Sequence, residues 1–165
     1  MCQLTPWVKR LLIANFAVFG VTALSRDLYA LLVLYPPAVL VRPWTMVTYM
    51  FLHGGLTHLI FNLIGLFFFG PRLESRLGAR GFTLLYVLAG VGGAVFSLLF
   101  ARNAAVVGAS GAVYGVLLGF AMFWPRERMF VFPIPVPLEA RAVIGGYLVL
   151  SLLQGVGGLG NGIAH

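Results

Sequence analysis

The chain has 165 residues, of which 61% are hydrophobic and 9% charged, with a formal net charge of +7. Soluble domains carry about 25% charged residues, so a mean hydropathy of +0.99 places this chain in a membrane. The 11 Lys and Arg are spread over short loops, as topology determinants are, which excludes nucleic acid as the expected partner.

Water cannot satisfy a backbone inside lipid, so only helices or a closed barrel can span it. The apolar runs are continuous rather than alternating, which selects helices. The first, Val8–Leu24, comes close to the roughly 20 residues that a bilayer requires. Ser25–Thr57 reads as a loop: "LYPP" and "RPWTMVTYMFLHGG" are rich in aromatics yet broken by Pro36, Pro37 and Pro43. Tryptophan and tyrosine favour the membrane interface, so this segment is predicted to lie there. A second span, His58–Gly70, is followed by the charged connection "PRLESRLGAR" and a third span, Phe82–Ala101. The fourth is Ser110–Trp124, the fifth about Ala142–Val156, with the proline-punctuated "PRERMFVFPIPVPLEAR" between them. "GVGGLGNG" and "IAH" then stand where a sixth helix would open.

Charge sets the orientation. With a cytoplasmic N-terminus, Lys9, Arg10, Arg72, Arg76, Arg80, Arg126, Arg128 and Arg141 fall inside and Arg26, Arg42 and Arg102 outside. This matches the positive-inside bias. The even-numbered helices then begin at the outer side, where His58 and Asn62 open the second, Ser110 the fourth and His165 the sixth. Polar groups inside a membrane are costly, and four at one depth point to a function.

Ser110 lies in "VVGASGAVYG", where backbone N–H groups at a helix start lack intrahelical partners and can face a developing oxyanion. Gly108, Ala109 and Gly111 leave room for a substrate backbone. A serine becomes nucleophilic beside a base, and the chain has three histidines. The competing reading is packing: Gly111, Gly115 and Gly119 form a small-residue stripe that lets membrane helices approach closely. A sixth helix is the expected partner of that face. His58 and Asn62 are spaced i, i+4 on one helix face and could donate to an oxyanion, or hydrogen-bond between helices. His53, in the loop, is expected to anchor it. One cysteine and three scattered histidines make a poor metal set, so no metal or cofactor is expected. The lone Asp27 lies in a loop, which excludes an aspartyl intramembrane protease. Glu74, Glu127 and Glu139 lie at the other end of the helices from Ser110, so a serine mechanism would be a Ser-His dyad without a carboxylate.

These residues resemble the rhomboid family of intramembrane serine proteases, in its bacterial form. "LTPWVKRLLIANFAVFG" is similar to the first helix, "PWTMVTYMFLHGGLTHLIFNLIGLFFFGPRLESRLG" to the first loop and second helix, and "GASGAVYG" to the nucleophile motif. The combination of H-x-x-x-N with G-x-S-G, one helix intervening, is what makes the match specific. It implies an all-α membrane protein, a rhomboid-like bundle in one domain over residues 1–165. Five transmembrane helices and the start of a sixth would be present, so the chain reads as truncated. The resemblance makes Ser110 the nucleophile, with its own N–H, His58 and Asn62 binding the oxyanion. Tyr114 would pack on the catalytic histidine, and Glu74 would brace the inner end of the second helix. His165 is the base, or lies one turn before a base beyond the chain end. Where many members carry Trp-Arg in the first loop, this sequence has Arg42 before Trp44. The implied substrates are single-span membrane proteins, cleaved toward the outer side of a bacterial inner membrane; oligomeric state stays open. The rival reading is a non-catalytic rhomboid-like protein that binds transmembrane helices.

Overall fold

The computed structural model describes residues 4–129, 136–157 and 163–164. Helices α1 (Pro6–Leu24), α2 (Arg26–Leu32) and α3 (Thr45–Thr48) lead to the 45-residue α4 (Leu56–Phe100), followed by α5 (Ser110–Phe123) and α6 (Ala140–Gly157). Among the described residues, α1 and α4 are long and apolar enough to cross a membrane. Two single 3-10 turns, Pro36–Ala38 and Tyr49–Phe51, and four two-residue strands complete the description: β1 (Ala105–Val106), β2 (Arg128–Met129), β3 (Leu138–Glu139) and β4 (Ile163–Ala164).

α4 is two helices joined at a single point. Gly78, at φ 73° and ψ 167°, is the non-helical residue inside it. The predicted connection "PRLESRLGAR" is therefore not a loop. Its Arg, Leu, Glu and Ala are strong helix formers despite their charge, so helix runs up to residue 77 and resumes at 79. Glycine takes a positive φ without the steric cost of a Cβ, which lets one residue make the break. The two limbs pack as neighbours: Leu66 and Leu73 of the first share a core with Phe82 and Tyr86 of the second.

α1 joins that core through Val8 and Leu11, and its start is held by a buried carboxylate. The backbone N–H of Trp7 donates to Glu74 Oε1 at 3.1 Å and that of Val8 to Oε2 at 3.0 Å. A helix leaves its first N–H groups unpaired and positive, so an anion there is the favourable partner. Glu74 thus does more than brace its own helix: it caps another one.

α5 lies against the second limb of α4 through its glycine stripe. A Cβ on Gly111 would touch the Gly93 α-carbon at 3.4 Å, one on Gly115 would collide with Ala89, and one on Gly119 would press on Leu73 and Leu85 at 3.1 Å. The expected partner of this face, a sixth helix, is thereby corrected. Small residues on both α4 and α5 let these two backbones come together. A second core, with Val113, Leu117 and Phe120 of α5 against Ala140 and Ile144 of α6, closes the other side.

The segment between α1 and α4 is stitched to itself. Arg42 Nη1, Trp44 Nε1 and Thr48 Oγ1 donate to the carbonyls of Ala30, Leu31 and Leu32 at 3.1, 3.0 and 2.8 Å. Three successive carbonyls at the end of the short α2, which have no intrahelical donors, are satisfied by one stretch of loop. The order Arg42 before Trp44 fits this capping. In the later loop, read as irregular, β2 and β3 pair antiparallel with Arg128 opposite Glu139.

Candidate functional site

The site is built where the segment before α5 meets the start of α4. Residues 105–108 are pinned from two sides. Leu34 exchanges both backbone hydrogen bonds with Val106, at 3.3 and 2.8 Å, and β4 pairs parallel with β1. Two residues on, Gly108 N–H donates to the carbonyl of Tyr49 at 3.0 Å. The hydroxyl of Tyr49 donates in turn to the Gly90 carbonyl at 2.7 Å. Tyr49 is 3% exposed, so both bonds are sheltered from competing solvent. Burial, then the neighbouring Tyr86, raises the Tyr49 pKa and keeps the phenol a donor. One residue therefore ties the entry to α5 to the middle of α4.

Gly108 has φ +124°, a conformation that L side chains rarely adopt. A Cβ there would lie 2.6 Å from His58 Cε1, 2.8 Å from His58 Nε2 and 3.7 Å from Ser110 Oγ. The imidazole occupies the space a side chain would take, and the Ser110 hydroxyl borders the same space. The structure thus brings His58, Gly108 and Ser110 together from α4 and α5. Ser110 is the first residue of α5 and is half-buried, with no side chain capping the helix start. Its first-turn N–H groups point past Ser110, where a negative charge would be stabilised.

His53 completes the wall. It is 5% exposed, and its ring stands edge-on to His58 with centroids 5.2 Å apart. It lies in the loop ahead of α4, outside the spans. Burial, with a second contribution from His58, lowers its pKa to about 4 against a smaller opposing pull from the Phe51 backbone. At neutral pH it is an uncharged ring packed on an imidazole.

The other described residues predicted from the sequence make contacts of their own. Asn62 is 7% exposed, and its Nδ2 donates to the His58 carbonyl at 2.9 Å, folding the amide back on its own helix. Tyr114 packs edge-to-face on Tyr147 of α6, with centroids 5.6 Å apart. Gly111 belongs to the contact between α4 and α5. His165 lies outside the described residues.

The G-x-S-G stretch at one helix start, the H-x-x-x-N pair on the facing helix, and a rhomboid domain model matching residues 41–165 all concern the same stretch of chain. The chain belongs to the rhomboid family. Relatives include RHOMBOID-like protein 4 of Arabidopsis thaliana, 45% identical over 76 residues, or 46% of this chain and 19% of that protein. Rhomboid protein 1, mitochondrial, of Saccharomyces cerevisiae is 40% identical over 93 residues, 53% of this chain and 27% of that one. The putative rhomboid protease YdcA of Bacillus subtilis is 41% identical over 81 residues, 48% and 40% respectively. The chain thus matches well under half the length of these relatives. With its long apolar helices, the rhomboid domain makes this an integral membrane protein, and mostly helical.

Tyr49 is the site residue that sequence reasoning missed. A tyrosine in an aromatic, proline-broken loop reads as an interfacial anchor, and nothing in its neighbours marks it as a strut. The one available signal was its position four residues before His53, in the same short approach to α4.

Proposed function

We propose that the protein is an intramembrane serine endopeptidase that cleaves single-span membrane proteins in or near their transmembrane segments. The observation that carries this reading is the His58 imidazole seated over Gly108 beside Ser110 Oγ. In the reaction, Ser110 Oγ attacks the scissile carbonyl and a histidine base takes its proton. The oxyanion is received by the Ser110 N–H and His58, joined by Asn62 once its amide swings off the His58 carbonyl. The base then returns the proton to the leaving amine, and water hydrolyses the acyl-enzyme by the reverse relay. His165 fills the role of base, or the role falls to a histidine one turn further on. Tyr114, beside Ser110 on α5, would support that ring.

The same reading takes the helices α1, 56–77, 79–100, α5 and α6 as five spans, with the N-terminus cytoplasmic and the site toward the outer side. It places the protein in a bacterial inner membrane. The eight-to-three division of Lys and Arg supports the orientation.

A second reading, a non-catalytic rhomboid-like protein that binds transmembrane helices, draws on Asn62, whose amide is engaged with its own helix. Labelling with a fluorophosphonate probe in detergent micelles separates the two. The chain is expected to label, and Ser110→Ala and His165→Ala to lose the label. A chain continued through a sixth helix that labels regardless of His165→Ala assigns the base beyond residue 165. Absence of label in both chains, each folded, leaves the binding reading standing.

A further inference from the structure

At the end of the bundle opposite Ser110, a notch of about 510 Å³ opens between the end of α5 and the start of α6, lined by Trp124, Pro125, Arg126, Glu127 and Arg141. We propose that this notch holds the phosphate headgroup of an anionic phospholipid. The first support is the charge inventory. The three carboxylates of this end are already engaged. Glu74 caps α1. Glu127 Oε1 accepts from Arg72 Nη1 at 3.0 Å, and Glu139 Oε2 from Arg141 Nε at 2.7 Å. Lys9, Arg10, Arg76, Arg80, Arg126 and Arg128 have no carboxylate partner among the described residues. Arg126 is exposed on the rim of the notch, and Arg141 spends its Nε on Glu139, which leaves its terminal nitrogens as donors. A phosphate seated in the notch would meet both side chains, and a fork of guanidinium donors suits it.

The second support identifies the source as lipid rather than free phosphate. The notch is walled by Trp124, whose ring is stacked under Arg72 at 4.4 Å, and tryptophan is a residue that favours the membrane interface. Directly before it on α5, Met122 is 74% exposed and Phe123 43%. Soluble phosphate gains nothing from such side chains, whereas the chains attached to a lipid headgroup would cover them.

The test is titration of the detergent-solubilised chain with phosphatidylglycerol, phosphatidylcholine and inorganic phosphate, read as bound lipid by native mass spectrometry and as the unfolding midpoint. Phosphatidylglycerol should bind and raise the midpoint, and R126Q/R141Q should bind it roughly thirtyfold more weakly, about fivefold per arginine. R126K/R141K, which keeps both charges but not the fork, should bind between the parent and the Gln pair. Equal loss in the Lys and Gln pairs would assign the effect to disturbed structure and overturn the proposal. Equal loss in Arg102→Gln, at the opposite end, would reduce it to diffuse attraction. A midpoint raised as much by inorganic phosphate as by phosphatidylglycerol would overturn the lipid assignment.

Discussion

The two ends of the bundle are held by different forces. At the Ser110 end, main-chain bonds and close backbone contacts do the holding: Leu34 to Val106, Tyr49 to Gly108 and Gly90, and a glycine where a side chain would strike His58. At the other end, charge does it: Glu74 on the α1 N–H groups, Arg72 on Glu127 and over Trp124. Close packing tolerates no added atom but depends little on salt. Charge pairs tolerate changes of shape but not of ionisation. The end proposed for chemistry is thus the end built for fixed geometry, where a displacement of about 1 Å can cost two orders of magnitude in rate.

The strongest way to break this contrast is Gly108→Ala. Its Cβ would meet the His58 ring inside 3 Å, at a φ that alanine resists, so fluorophosphonate labelling should fall at least about 100-fold. A small loss would mean that the ring moves freely and that the geometry is not fixed. At the charged end the matching test is Glu74→Ala, which strands two N–H groups and should cost about 3 kcal/mol, read as a lower unfolding midpoint in detergent. Glu74→Gln, which keeps an acceptor, should lose less. Tyr49→Phe removes one hydroxyl and with it the buried bond to the Gly90 carbonyl. It should destabilise by about 1–2 kcal/mol and lower labelling more than an equally destabilising change among the charge pairs. A further effect concerns pH. His53 has a lowered folded pKa, so its contribution is complete above the ordinary 6.5 and is lost as the pH falls from there toward 4. The midpoint of the parent should decline over that window, and His53→Gln should flatten the decline. An unchanged slope would show that His53 is open to solvent.

Much of this was legible in the sequence, for a physical reason. Hydrophobic runs and scattered cations report on the membrane, so α1, α5 and α6 and the meeting of His58 with Ser110 followed from spans and ends. What was illegible depended on partners chosen in three dimensions. "PRLESRLGAR" reads as a charged connection because charge interrupts the apolar runs, yet its residues are helix formers and Gly78 alone breaks the helix there. The glycine stripe announced a close contact without naming its partner, Gly93 and Ala89. The spacing of His58 and Asn62 puts them on one face, but spacing says nothing of rotamer, and the Asn62 amide turns to the His58 carbonyl. Tyr49 had no pattern to betray it, since its two bonds reach residues 41 and 59 positions away.

The Glu74 cap also bears on how the protein is made. Trp7 and Val8 leave the ribosome some 67 residues ahead of the carboxylate that satisfies them. Until the first limb of α4 follows, the start of α1 must borrow water or headgroups for those two N–H groups. Its docking is therefore provisional, and the helix becomes locked only retrospectively. Biogenesis would then proceed by pairs, with α1 waiting at the translocon for its later neighbour instead of partitioning alone into lipid.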